Sequence, residues 1–302
     1  MTAMTSSPSS SAAPAAGTRQ TIAHLRVGLR VIAAVIFTLG LSLFVFSGET
    51  DTLFAWTIKV PLTAAFLGAS YWASTTLALC CAGERDWVAA RAFAAPYLIA
   101  GIVLLVVTFV HLDLFHMDDV TGWLWLVLYA VFPGSMIVLL SQQMRVVGTD
   151  PPRTAPVPAA FVAICFVQAA VMVSLGTALV FAPTDVSSLW PWPLTPLTGR
   201  AVGTFVLSQG ALVLTVCRER DWGRVRPAMM QYVVLGALHL VAVARFSDTF
   251  DWGDPAAWLY LGFIVGIALT AVYGVVHVFG AVRDGTAPDP PALYRITAAR
   301  RR

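Results

Sequence analysis

Residues 92–112 read AFAAPYLIAGIVLLVVTFVHL, a stretch without one charged side chain. A helix needs roughly 20 mainly apolar residues to cross about 30 Å of hydrocarbon, and this stretch has that length. Working outward, seven more stretches of the same kind lie near 27–47, 60–82, 121–141, 158–181, 200–217, 227–245 and 256–280. The whole chain agrees with them. Of 302 residues 58% are hydrophobic and only 12% charged, and the mean hydropathy is +0.77, an apolar excess that a soluble domain has no interior to hold. The ten-residue alternation of a membrane barrel is absent, and lipid admits only helices or closed barrels. The expected fold class is therefore an all-α integral membrane protein with eight transmembrane helices.

Immediately before the opening stretch stands Glu84-Arg85-Asp86-Trp87, followed by Arg91; the same pattern recurs 135 residues later as Glu219-Arg220-Asp221-Trp222 and Arg226. One ungapped offset also pairs Pro61-Leu62-Thr63 with Pro196-Leu197-Thr198, Gly68 with Gly203, Tyr97 with Tyr232, Gly101 with Gly236, Asp113 with Asp248 and Trp123 with Trp258. Charged and aromatic matches at one spacing do not arise from shared apolar composition. The chain is expected to be two parallel four-helix repeats, parallel because each copy has an even number of spans. The boundaries follow: a disordered N-terminal tail at 1–24, repeat 1 at 25–144, a proline-rich linker at 145–157, repeat 2 at 158–280 and a basic tail at 281–302.

Charge sets the expected orientation. The side holding both termini and the even-numbered connections carries sixteen of nineteen basic residues and seven of sixteen acids, against three and nine on the opposite side. Because lysine and arginine decide topology, the arginine-rich side is expected to be cytoplasmic. The net charge of +3 is then topogenic and points to no nucleic-acid partner. Arg19, Arg26 and Arg30 precede a first span of full length, which reads as a signal anchor rather than a cleaved leader. Cys80, Cys81, Cys165 and Cys217 all fall at the cytoplasmic ends of spans with no metal spacing, so neither disulfides nor zinc are expected. Arg300-Arg301-Arg302 is either a solvated tail or a contact to anionic lipid.

Phe54-Ala55-Trp56-Thr57-Ile58 with Pro61 to Gly68, and Trp190-Pro191-Trp192-Pro193-Leu194 with Thr195 to Thr198, resemble segments of uncharacterised multi-pass bacterial membrane proteins. The resemblance implies a bacterial plasma membrane, as does arginine outnumbering lysine eighteen to one. It implies no activity, cofactor or site.

Four groups of residues could carry chemistry. The paired motifs Glu84, Arg85, Asp86, Trp87, Arg91 and Glu219, Arg220, Asp221, Trp222, Arg226 read either as loop staples with an interfacial tryptophan or as gates and docking surfaces. Asp113, Trp123, Asp248, Asp251 and Trp258 belong to an external cluster of acids and tryptophans, either an aromatic belt or a vestibule for a cationic or amphipathic ligand. His239 is expected near mid-bilayer, where the first copy has Leu104, and is the leading ligand or pathway residue because ionisable groups within spans mark function. Gln209 and Gln231 join it as pathway candidates, although such amides more often bond helix to helix. Arg245 is expected to pair with Asp248 three residues on.

Gly262, Gly266 and Gly274, with Thr270 among them, form a small-residue stripe that packs within the chain or supports self-association. No two histidines share a depth for haem, and nucleophile, metal and phosphate-loop motifs are missing, so no cofactor or metal is expected and the enzyme reading is the weakest. The external aspartates with His111 and His116 would be its only cluster. The function expected is binding or passage of a small apolar or amphipathic compound between the two repeats. The alternative is a non-catalytic component that packs with a membrane protein partner, and the lipid bilayer is the partner under either reading.

Overall fold

A computed structural model describes residues 17–289 and 291; most of the N-terminal tail and Arg295 to Arg302 lie outside them. Eight helices are long and apolar enough to span a bilayer, which makes this a multi-pass membrane protein: α1 Ala23–Phe44, α2 Pro61–Gly83, α3 Trp87–Val110, α4 Val120–Met144, α5 Ala159–Phe181, α6 Pro196–Glu219, α7 Trp222–Arg245 and α8 Pro255–Arg283. Among the described residues there are no strands, only isolated bridges such as Thr18 with Thr149.

Local chemistry sets the helix ends. Proline occupies the first turn of α2, α6 and α8, where its missing N–H costs nothing. Thr195 and Thr198 form a reciprocal capping box ahead of α6, and Asp254 caps α8 through the Ala256 amide. Arg220, in the left-handed region at φ 50°, stops α6 so that α7 can begin two residues later. Two spans start earlier than hydropathy alone indicates. Helix α3 begins at Trp87 and α7 at Trp222, about five residues before the apolar runs, because the charges in these first turns find partners inside the protein.

The helices close into a ring in the order α1, α2, α7, α8, α5, α6, α3, α4, with thin seams between α8 and α5 and between α4 and α1. Span 2 of each half therefore packs against span 3 of the opposite half, α2 on α7 and α6 on α3. Helix α2 is the most enclosed, with 78% of its apolar window buried, and small residues make that possible. A Cβ on Gly68 would come within 2.5 Å of the Phe44 amide nitrogen of α1, and one on Gly203 would come within 2.6 Å of the Leu179 Cβ of α5. Backbones meet there directly.

At the end of the bundle carrying both Glu-Arg-Asp-Trp segments, termed here the motif end, the chain before α1 and the connection before α5 run across the two segments. Thr21 N donates to Arg85 O and Trp87 N to Arg19 O; likewise Val157 N donates to Arg220 O and Trp222 N to Ala155 O. Gln143, fully buried, bonds both Ile22 N and Gln20 O. The expected N-terminal tail is thus tied down from Gly17 onward. Helix α8 continues to Arg283, and the following residues fold back until Pro288 O accepts from Arg226.

Candidate functional site

The two charged motifs pair crosswise. Arg226 donates from Nε to Glu84 Oε1 at 3.0 Å and from Nη2 to Glu84 Oε2 at 2.8 Å, a two-pronged pair whose members are 2% and 4% exposed. Reciprocally, Arg91 donates to Glu219 Oε1 from Nε at 3.0 Å and from Nη2 at 2.6 Å, and it also meets Asp150 at 2.9 Å. Arg224 completes the Glu219 carboxylate at 3.2 Å. Each glutamate passes over the adjacent arginine of its own motif, Arg85 and Arg220, both of which point outward. Trp87 and Trp222 are buried rather than placed as interfacial anchors: Trp87 packs on Phe93, and Trp222 on Phe161 and His277.

The aspartates of the motifs differ. Asp221 is buried and accepts from the Thr154, Ala155 and Arg224 amides at 2.9, 2.9 and 3.2 Å, whereas half-buried Asp86 accepts from the Gln20 side chain at 2.8 Å. Asp221→Ala strands the Thr154 amide and the buried Ala155 amide and removes a helix cap, a loss of about 2–3 kcal/mol, while Asp86→Ala loses about 1 kcal/mol or less. Unfolding midpoints in detergent should separate the two variants; equal losses would contradict this assignment.

At the opposite end, a cavity of about 1050 Å³ lies among α5, α6, α7 and α8, with Phe66 and Ser70 of α2 as its inner wall. It is not a central space shared equally by the two halves. It opens sideways at the thin seam between α5 and α8, where Val171 and the 74% exposed Leu259 stand. Trp190 and Tyr260 line its outer part, and Phe205 and Gln209 its inner end.

His239 lines this cavity and is 2% exposed. Because α7 starts at Trp222, His239 sits only six residues before the helix ends at Arg245, nearer the opposite end than the mid-bilayer depth expected. Nδ1 lies 2.8 Å from Leu235 O. A carbonyl can only accept, so Nδ1 carries the proton and Nε2 is left as an acceptor, with no protein donor among the described residues. The imidazole stands edge-on against Phe66 at 4.6 Å, and Trp190 stands edge-on against the same ring at 5.5 Å. Trp190 Nε1 is buried without an acceptor. Sequence reading missed Trp190 as a cavity residue; it stood there only within the segment Trp190-Pro191-Trp192-Pro193-Leu194 that carries the resemblance.

Gln231 donates to Gln209 Oε1 at 2.7 Å, leaving Gln231 Oε1 buried and unpaired. Phe205 and Gln209 also line a second cavity on the other side, of about 40 Å³, beside the Tyr71–Tyr129 hydroxyl pair, room for one or a few waters. The two glutamines therefore stand between the large cavity and the small one.

The remaining residues do not converge. Asp113, Asp248 and Asp251 are exposed on separate turns; Trp123 and Trp258 are exposed and each donates to a loop carbonyl, Met117 O and Trp252 O. Arg245 does not pair with Asp248. It donates to Phe44 O at 2.5 Å and lies over the Phe44 ring, because α1 ends beside it. Arg200 meets His111 Nε2 at 2.7 Å; burial first and this guanidinium second lower the His111 pKa, so the ring accepts in its neutral form. Of the glycine stripe, Gly274 packs on Met229 within the chain, while Gly262 and Gly266 have open space or only a distant amide beyond them. Among the described residues no three His, Cys, Asp or Glu side chains gather to hold a metal.

Comparison with protein-family models, with curated proteins and with solved structures finds no match.

Proposed function

We propose that this protein binds a small apolar or amphipathic compound in the cavity lined by His239 and passes it between the bilayer and the motif end, as a plasma-membrane component of a bacterium with both termini in the cytoplasm. The observation that carries the reading is the side-opening cavity of about 1050 Å³ whose wall is almost wholly apolar yet holds a histidine nitrogen that no protein group satisfies. Ligand sites have this make-up, apolar surface with few placed polar groups. A dry packing void would be smaller and would not retain an unmet acceptor.

Two parallel four-helix copies form part of the same proposal. It is supported by the 135-residue sequence offset together with the exchange of partners between Glu84–Arg226 and Arg91–Glu219, the reciprocal contact expected about a two-fold axis. The paired motifs then hold the cytoplasmic end closed while the cavity is open to the lipid and the exterior, and Gln209 with Gln231 divides the two.

The test uses a hexadecyl chain bearing a photoactivatable diazirine, with protein reconstituted in nanodiscs. Saturable labelling of Leu175 and Phe263, competed by excess unlabelled chain and removed by Ser174→Trp at the cavity mouth, supports the reading. Equal, non-saturable labelling of these positions and of outward-facing Val127 and Leu269 overturns it and favours a component that packs with a partner through the open face at Gly262 and Gly266.

A further inference from the structure

The cavity's polar groups restrict the headgroup that can occupy it. Three headgroup charges are possible, and two fit poorly. No lysine or arginine lines the cavity, and the one charged residue on its wall is Asp254, so a carboxylate or phosphate headgroup would enter without a counter-charge and against a like one. A quaternary ammonium would find aromatic faces in Trp190 and Tyr260. It has no proton to give His239 Nε2 and so leaves that acceptor unmet.

A neutral group that donates a hydrogen bond removes the deficit. His239 Nε2 needs a donor because Nδ1 already gives its proton to Leu235 O. The imidazole stands 4.6 Å from the Phe66 ring on the cavity wall, so a small donor lodged against Phe66 is placed to serve it. A hydroxyl is the smallest neutral donor that an apolar chain can carry. From that point the apolar wall of Leu175, Phe263 and Ile267 leads out to the α5–α8 seam, where a chain would continue into the bilayer.

We propose that the occupant is a long-chain alcohol, a lipid with one terminal hydroxyl, that enters sideways between α5 and α8 and donates its O–H to His239 Nε2. This rests on the cavity being a binding site, as proposed above.

The experiment measures competition against the saturable diazirine labelling by four probes of one chain length: 1-hexadecanol, methyl hexadecyl ether, hexadecane and hexadecyltrimethylammonium. Hexadecanol is expected to compete at least tenfold better than the ether, which accepts but cannot donate, and better still than the alkane. His239→Leu should erase the difference between alcohol and ether while leaving the alkane unchanged. His239→Gln keeps a hydrogen-bonding side chain and should retain part of the alcohol preference, which separates recognition from loss of folding. Alcohol, ether and alkane competing equally overturns the hydroxyl assignment and leaves the cavity reading standing. Tightest competition by the ammonium overturns it in favour of aromatic cation binding. Absence of saturable labelling overturns the cavity reading itself.

Discussion

Arg226→Ala is expected to lower stability by about 3–5 kcal/mol, the loss typical when one member of a buried ion pair is removed. The arginine is 2% exposed, and its removal leaves the Glu84 carboxylate at 4% exposure without its two-pronged partner. It also frees Pro288 O at the fold-back after α8. The Glu84 carboxylate then loses both bonds to Arg226, which disturbs the contact of α2 with α7. A second variant isolates the cause. Glu84→Leu with Arg226→Met removes both charges and keeps volume, and buried pairs exchanged for apolar groups are often neutral or stabilising. The double variant should therefore be more stable than Arg226→Ala by several kcal/mol in reversible unfolding in mixed micelles, and a double variant as unstable as the single one would refute the pairing as the source. Arg91→Ala should cost less, since Glu219 retains Arg224.

The same pair marks where sequence reading stopped. The eight spans were legible because lipid demands an apolar length, and length can be read directly. The motifs were legible as a pattern that recurs at one offset. Their crosswise pairing was not, because Glu84 is followed at once by Arg85 and Glu219 by Arg220, and adjacent charges offer a local partner that the fold does not use. Trp87 and Trp222 were similarly misplaced: an aromatic residue beside charges at the end of a span is common at the headgroup level, and only the segments crossing before α1 and α5 turn these two into core. The order of helices around the ring left no trace in hydropathy, since lipid-facing and helix-facing residues are equally apolar. His239 was found by its chemistry, while its depth depended on where α7 starts, which ion pairing moved by five residues.

Gly203→Val is expected to be strongly destabilising. Helices α5 and α6 touch most closely at Gly176 and Gly203, and again at Gly210. A Cβ on Gly176 would lie 2.4 Å from Leu207 N and 2.8 Å from Gly203 O, and one on Gly203 would lie 2.6 Å from Leu179 Cβ and 2.8 Å from Gly176 O. Most of these neighbours are backbone or the root of a side chain, which cannot rotate away, so the helices must separate. Overpacking of this kind costs about 1–3 kcal/mol, and more where backbone has to shift. Gly262→Val is the control, because nothing lies within 4 Å of the position a Cβ would take on α8, and exchanging glycine for valine there changes little beyond helix propensity. Equal melting of the two variants would show that the α5–α6 crossing is not so close. The displacement has a second consequence. Helix α6 carries Phe205 and Gln209, which divide the two cavities, and moving it outward by even a fraction of a side chain would loosen the Gln209–Gln231 bond. A milder variant, Gly203→Ala, that folds but lets the hexadecyl probe label Leu212 on the far side of that divider would place the barrier between the cavities at these two residues.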